Sequence, residues 1–143
     1  MPAPNDQQIF LIDEDDVVRD SLKVLLESHG IPVRDFRNAA EFISEAGSAR
    51  TGCLVLSYNQ AIASGLDLVA TLWRRGMTMP VIFIVGGGDA MTRAAALAAG
   101  AFAYIERPVE ETALIRAVSA ALSRKGGRGS AADTAVTTAS LGG

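Results

Sequence analysis

Asp13 and Glu14 stand directly after the apolar run Ile9–Ile12. Adjacent carboxylates repel each other and together attract a cation. A hard divalent ion such as Mg2+ takes oxygen ligands, commonly one or two carboxylates completed by water. The plainer alternative is an acidic helix start over Asp13–Asp16, stabilised at the positive end of the helix dipole. A second apolar run, Cys53–Leu56, passes straight into Ser57. A serine hydroxyl is neutral near pH 7 and is a weak nucleophile without a base. The chain's one histidine, His29, belongs at the far end of the first helix, so it cannot serve Ser57. No Gly-x-Ser-x-Gly elbow surrounds Ser57 either. The expectation is that the chain is not an enzyme.

Two further apolar runs end in residues of interest. Val81–Val85 leads into Gly86-Gly87-Gly88, and Phe102–Ile105 leads into Glu106-Arg107-Pro108. Glycines leave many backbone conformations open, and amides at a helix start favour anions. The glycine run lacks the Gly-Lys-Ser/Thr ending of a phosphate loop, so that signal is weak. Arg107 is a broad planar fork rather than a point charge.

The elements that must position these residues alternate in kind. After the first apolar run, Val18, Ser21/Leu22 and Leu25/Leu26 recur at helical spacing, and His29-Gly30 suits a helix end. Pro32–Phe36 reads as a more polar edge strand. Asn38 caps a helix with Glu41 at its third position. A strand over Cys53–Leu56 precedes a helix from about Gly65 that carries Leu68, Val69, Leu72 and Trp73. Val81–Val85 is a continuous apolar strand, followed by an alanine-rich helix capped by Asp89 and stopped at Gly100. Phe102–Ile105 is the last strand, and Glu110–Ser123 the last helix. Five strand–helix units imply an α/β fold, with a parallel sheet covered on both faces. Ligands of such sheets bind beyond the carboxyl ends of the strands, where Asp13, Glu14, Ser57, Val85, the glycines and Arg107 all fall.

Bulk composition narrows the function classes. A chain of 143 residues that is 49% hydrophobic fits one domain with a proper core. Its net charge of −3 argues against a nucleic-acid surface. Cys53 is the sole cysteine, so it makes no internal disulfide and reads as a small buried residue. The start, MPAPNDQQ, shows no signal peptide, and no apolar run reaches the roughly 20 residues of a membrane helix. A cytoplasmic protein with no membrane contact is expected. Residues 1–7 read as a flexible start, 8–124 as the domain, and 125–143 as a disordered tail rich in Gly, Ser, Ala and Thr.

Asp-Glu after the first strand, Gly65 eight residues beyond Ser57, and Glu106-Arg107-Pro108 after the fifth strand resemble the receiver domain of bacterial two-component response regulators, the CheY-like family. The wording IFLIDEDDVVRDSLKVLL and ALAAGAFAYIERPVEETALIRAV is similar to its FixJ-like branch. The resemblance spans about residues 8–123 and implies a flavodoxin-like doubly wound sheet of strand order 2-1-3-4-5. It also implies phosphoryl transfer from a histidine kinase to an aspartate ending strand three, with Mg2+ held by that aspartate and the acidic pair. A Thr or Ser ending strand four and a Lys ending strand five then grip the phosphoryl group, and an aromatic residue of strand five turns inward.

Placed on that pattern, Asp13 and Glu14 match the acidic pair, Tyr104 matches the switch aromatic, and Pro108 keeps the turn, whose preceding bond is cis in this family. Asn59 falls where a backbone carbonyl would reach the metal. Ser57 stands at the acceptor position, Val85 at the hydroxyl position and Arg107 at the lysine position, and Gln60-Ala61 replaces the usual Met-Pro. Losing the carboxylate leaves no resident cofactor, and at best a weak Mg2+ site at Asp13 and Glu14. The expectation is a degenerate pseudo-receiver: a single-domain regulator acting by phosphorylation-independent protein contact. The contact face would be helix four, strand five and helix five, with Arg93, Leu97, Tyr104, Glu111 and Ile115 as candidates. Partners in keeping with the family are a histidine kinase, a photosensor, a transcription regulator or a second copy of the chain, with no nucleic acid. The alternative is a receiver-fold sensor controlled by a metal, phosphate or small anion in the altered pocket.

Overall fold

A strand that is apolar at every position must be covered on both faces. In the computed structural model this holds for β1 (Ile9–Ile12) and β4 (Val81–Val85), whose residues are all buried. The structure describes residues 8–47, 49, 51–58, 63–86 and 90–123. The expectations placed on residues 1–7, Asn59, Gln60, Ala61, Gly87, Gly88, Asp89 and 124–143 lie outside those residues.

The remaining elements follow in strict alternation. They are α1 (Asp16–Ser28), β2 (Val33–Phe36), α2 (Ala39–Ala46), β3 (Cys53–Tyr58), α3 (Ala63–Arg74), α4 (Ala90–Ala98), β5 (Ala103–Glu106) and α5 (Glu111–Ser123). The five strands form one sheet in the order β2-β1-β3-β4-β5, and every pairing is parallel. This is the doubly wound flavodoxin-like order that the resemblance implies. β2, the more polar strand, lies at an edge as its composition requires.

Strand alternation divides the core between the two faces. On one face Phe10, Leu54, Leu56, Phe83 and Tyr104 pack with Phe42 of α2, Leu68, Val69 and Leu72 of α3, and Ala96 of α4. On the other, Ile9, Leu11, Val55, Ile82 and Ile84 pack with Leu22 and Leu26 of α1 and with Leu114, Ala117 and Val118 of α5. Each fully buried Leu, Ile or Phe in these layers contributes roughly 1.5–3 kcal/mol. The rings of Phe10, Phe36 and Phe42 meet at centroid distances of 5.4–6.4 Å, which ties α2 to the β2 edge.

The helix ends obey local chemistry. Asp15 caps α1, its carboxylate accepting from the N–H groups of Val17 and Val18 at 2.9 and 3.0 Å. Asn38 caps α2 by accepting from Glu41 N–H at 2.8 Å, and the Glu41 carboxylate accepts from Arg37 N–H at 3.2 Å. Several boundaries differ from the sequence expectation. β3 runs on through Ser57 to Tyr58, because the ladder uses backbone groups and Ser57 and Tyr58 still pair with Ile84 and Val85. α3 begins at Ala63 rather than near Gly65. β5 is shifted one residue onward to Ala103–Glu106, drawn by the Val85–Glu106 pairing.

Gly100 closes α4 with φ +98, where L side chains are strained, and a Cβ there would run into the Trp73 ring at Cη2. Gly100→Ala is expected to lose about 1–3 kcal/mol of unfolding free energy, from strain and overpacking together. Urea unfolding followed by Trp73 fluorescence measures it, and an unchanged midpoint would contradict the contact.

Candidate functional site

The sheet register decides which polar residues meet. Ile12 lies opposite Leu56, so Asp13 leaves β1 level with Ser57 on β3. Val85 lies opposite Glu106, and Arg107 N–H donates to Val85 O at 2.9 Å, so the β5 end rises beside β4. Val55 and Ile105 both pack on the α1/α5 face. Ser57 and Arg107 follow each by two residues and are directed to that same side.

The outcome is a cluster of three at the carboxyl edge. Asp13 and Ser57 are each 3% exposed, the only buried polar or charged residues among those described. Arg107 Nη2 donates to Ser57 Oγ and lies 3.6 Å from Asp13 Oδ2. Asp13 Oδ1 accepts from Asp15 N–H at 2.9 Å. Asp13 Oδ2 and Arg107 Nε are buried without a hydrogen-bond partner among the described residues. The Arg107–Pro108 peptide bond is cis, as the resemblance implies.

A second polar cluster holds Asp13 by its backbone, and sequence reasoning missed it. Asp13 N–H donates to Phe36 O at 3.1 Å, and Asp13 O accepts from Arg19 Nη1 at 2.8 Å. Arg19 also pairs with Asp16 at 2.7 Å and Asp35 at 3.0 Å, while Lys23 lies 3.5 Å from Asp35. The Asp16 hydrogen bond, outweighing burial and helped by Asp35, holds the Arg19 guanidinium above its ordinary pKa. Burial alone would raise the Asp35 carboxyl, but Arg19 and Lys23 prevail and hold it below the usual carboxylate range. Only the three-residue spacing of Asp16 and Arg19 signalled this in the sequence.

The other candidates sit apart from the cluster. Glu14 is exposed at the rim. Val85 is buried on the opposite face together with Tyr104, which is 2% exposed and turned inward. Gly86 is half-buried at the end of β4. His29 caps the far end of α1, and its ring meets Glu111 at 2.7 Å, remote in the chain from Ser57. Arg93, Leu97 and Ile115 are half-buried. Burial pushes the Cys53 thiol up, in keeping with a packing role.

The cluster fits a divalent metal poorly. Ser57 Oγ already accepts from Arg107, Glu14 faces solvent, and no group of metal-binding side chains assembles among the described residues. Unit charges about 4 Å apart interact by about 4 kcal/mol at an effective dielectric near 20, so a guanidinium repels a nearby dication by about twice that.

Residues 9–119 match the family model described as "Response regulator receiver domain". The chain is 39% identical over 119 residues to the transcriptional regulatory protein TdiR of Thauera aromatica, covering 83% of this chain and 52% of that protein. It is 37% identical over 126 residues to the transcriptional regulatory protein FixJ of Azorhizobium caulinodans, covering 88% and 60%. The chain thus spans about half to three-fifths of the length of these relatives. The crystal structure of FixJ-N superposes with a TM-score of 0.75 at 31% identity, covering 83% of this chain and 95% of that one. Among the described residues, no helix is long and apolar enough to cross a membrane.

The Asp35 cluster sets a pH dependence. A carboxyl held below its unfolded value of about 3.9 stabilises the fold above that pH, and the contribution is lost as pH falls through the folded value. Stability should therefore drop from about pH 5 towards pH 3, and Asp35→Asn should make that drop shallower. At neutral pH the variant should lose up to about 1 kcal/mol, since the pair is partly exposed. Parallel acid profiles of the two proteins in thermal unfolding would contradict this role.

Proposed function

This chain belongs to the response-regulator receiver family, and from that premise we propose that it signals by protein contact without forming an aspartyl phosphate. The observation that carries this reading is the donation of Arg107 Nη2 to Ser57 Oγ at the acceptor end of β3. Phosphoryl capture there needs a carboxylate nucleophile; a serine lacks the charge, and among the described residues its hydroxyl meets the Arg107 guanidinium rather than a base. Val85 offers no hydroxyl to a phosphoryl oxygen and is buried in the core. The protein catalyses no reaction of its own in this account and works in the cytoplasm.

The proposed contact surface is the α4–β5–α5 side. Tyr104 is buried and lies beneath that surface rather than on it. Support for a docking role comes from α4, where Met91 is 83% exposed and Ala94, Ala95 and Ala98 are exposed along the same stripe. Contiguous exposed apolar surface, rather than one exposed side chain, is what marks an interaction site, and Met91 with these alanines forms such a stripe. The partner classes are a histidine kinase, a photosensor, a transcription regulator or a second copy of the chain.

A second reading rests on the Arg107 Nε and Asp13 Oδ2 atoms, which lack hydrogen-bond partners among the described residues. A small anion on the free guanidinium edge would satisfy the first and make the pocket a ligand sensor. Saturable amide shifts on titration with inorganic phosphate alone would favour it.

Intact-mass analysis after incubation with acetyl phosphate and Mg2+ tests the main reading. The wild type should gain no phosphoryl group, and Ser57→Asp should be labelled well below one per chain, because Val85 and Arg107 still fit the group poorly. Phosphoryl transfer to the wild type would overturn the proposal. Stoichiometric labelling of Ser57→Asp would show that the acceptor alone had been lost.

A further inference from the structure

We infer that Arg107 is a tethered cation standing where a divalent metal would otherwise sit, and that a latent metal site lies beneath it. This rests on the phosphorylation-independent reading of the same cluster and deepens it. Asp13 is 3% exposed, and a buried carboxylate needs a cation or hydrogen bonds to replace its water. Its Oδ1 has the Asp15 N–H. Among the described residues its Oδ2 has no hydrogen bond, only the Arg107 guanidinium 3.6 Å away. The neighbouring cations are committed elsewhere: Arg19 to the Asp13 carbonyl, Asp16 and Asp35, and Lys23 to Asp35.

The pairing is looser than a built Arg–carboxylate fork. Two parallel N–H···O bonds are the usual geometry of such a pair, but here Nη2 is spent on Ser57 Oγ and Nε makes no hydrogen bond among the described residues. Arg107 therefore supplies charge to Asp13 while leaving the Oδ2 lone pairs unused. A Mg2+ ion would use those lone pairs at about 2.1 Å, next to the guanidinium. Seated arginine and bound metal exclude each other. Taking away the guanidinium frees Asp13 Oδ2 and Ser57 Oγ together, with Glu14 at the rim and water to complete an all-oxygen shell. The departure from the family pattern at Arg107 is thus a choice of cation, fixed in the chain instead of drawn from solution.

The test is paramagnetic broadening of backbone amide resonances by Mn2+, with Mg2+ as competitor. Wild type is compared with Arg107→Met, which keeps the stem and removes the charge, and with the double variant Asp13→Asn/Arg107→Met. Broadening at the amides of Asp13 and Ser57 should saturate at least about tenfold lower in metal for Arg107→Met than for wild type, as expected when a neighbouring charge is removed. The double variant should lose that gain. Equal affinity in wild type and Arg107→Met, or no gain in a folded Arg107→Met, would overturn the inference. If Arg107→Met and a second variant, Arg107→Gln, are both unfolded, millimolar Mg2+ should raise their melting temperatures and leave wild type unmoved; failure of that rescue also overturns it. Acetyl phosphate labelling of the same wild-type sample separates the two ideas. Metal binding by unlabelled wild type as tight as by Arg107→Met sinks only the tethered cation, whereas labelling sinks the proposed function.

Discussion

Parallel pairing of β1 with β3 is the constraint on which the site depends. Ile9–Ile12 lies residue for residue against Cys53–Leu56, and a one-residue slip would turn every side chain to the opposite face. Both segments are apolar throughout and buried on both sides, so the slip itself would expose no charge within the strands. What fixes the register is the material at the strand ends. Asp13 must reach Phe36 O with its N–H and Arg19 with its carbonyl, and Asp15 must cap α1. Those bonds set the height of Asp13 on the sheet, and so bring its carboxylate level with Ser57 and within reach of Arg107.

The same geometry explains how one arginine can link three strands. Arg107 leaves β5 anchored to Val85 O of β4, passes over the β4 end and meets Ser57 of β3 and Asp13 just beyond β1. Val85 turns its side chain into the opposite core layer with Tyr104, away from the side on which the guanidinium lies. A carboxylate in place of Ser57 would give that guanidinium a second acidic partner and draw it further into the cluster. A neutral hydroxyl takes one N–H and leaves Asp13 as the sole charged acceptor. Two substitutions far apart in sequence, Ser57 and Arg107, thus meet at one point in space, while Val85 faces the opposite core layer.

Much of this was legible in the residues. The strict alternation of apolar runs with helical periods gave the α/β class. The position of charged and glycine-rich segments at run ends gave the location of the site, because parallel strands bury their middles and expose their carboxyl ends. The Arg19–Asp16–Asp35 cluster was hidden, since Asp35 lies on a different strand and its side of the edge is set by the β1–β2 register. Boundary errors at β3 and β5 share one cause: a polar side chain such as Ser57 or Glu106 does not stop a ladder that is made of backbone groups. The inward placement of Tyr104 follows from alternation along β5, with Ala103 and Ile105 on the other face.

The central claim is that the cluster of Asp13, Ser57 and Arg107 no longer accepts a phosphoryl group. The most direct measurement is a backbone amide NMR spectrum recorded before and after adding Mg2+ with beryllofluoride, which mimics a bound phosphoryl group. The account predicts unmoved resonances around Asp13, Ser57 and Gly86, with the α4–β5–α5 side equally unaffected. Saturable shifts at those three positions that spread to α4 and β5 would contradict it, because the pocket would then still bind the mimic and pass its binding on.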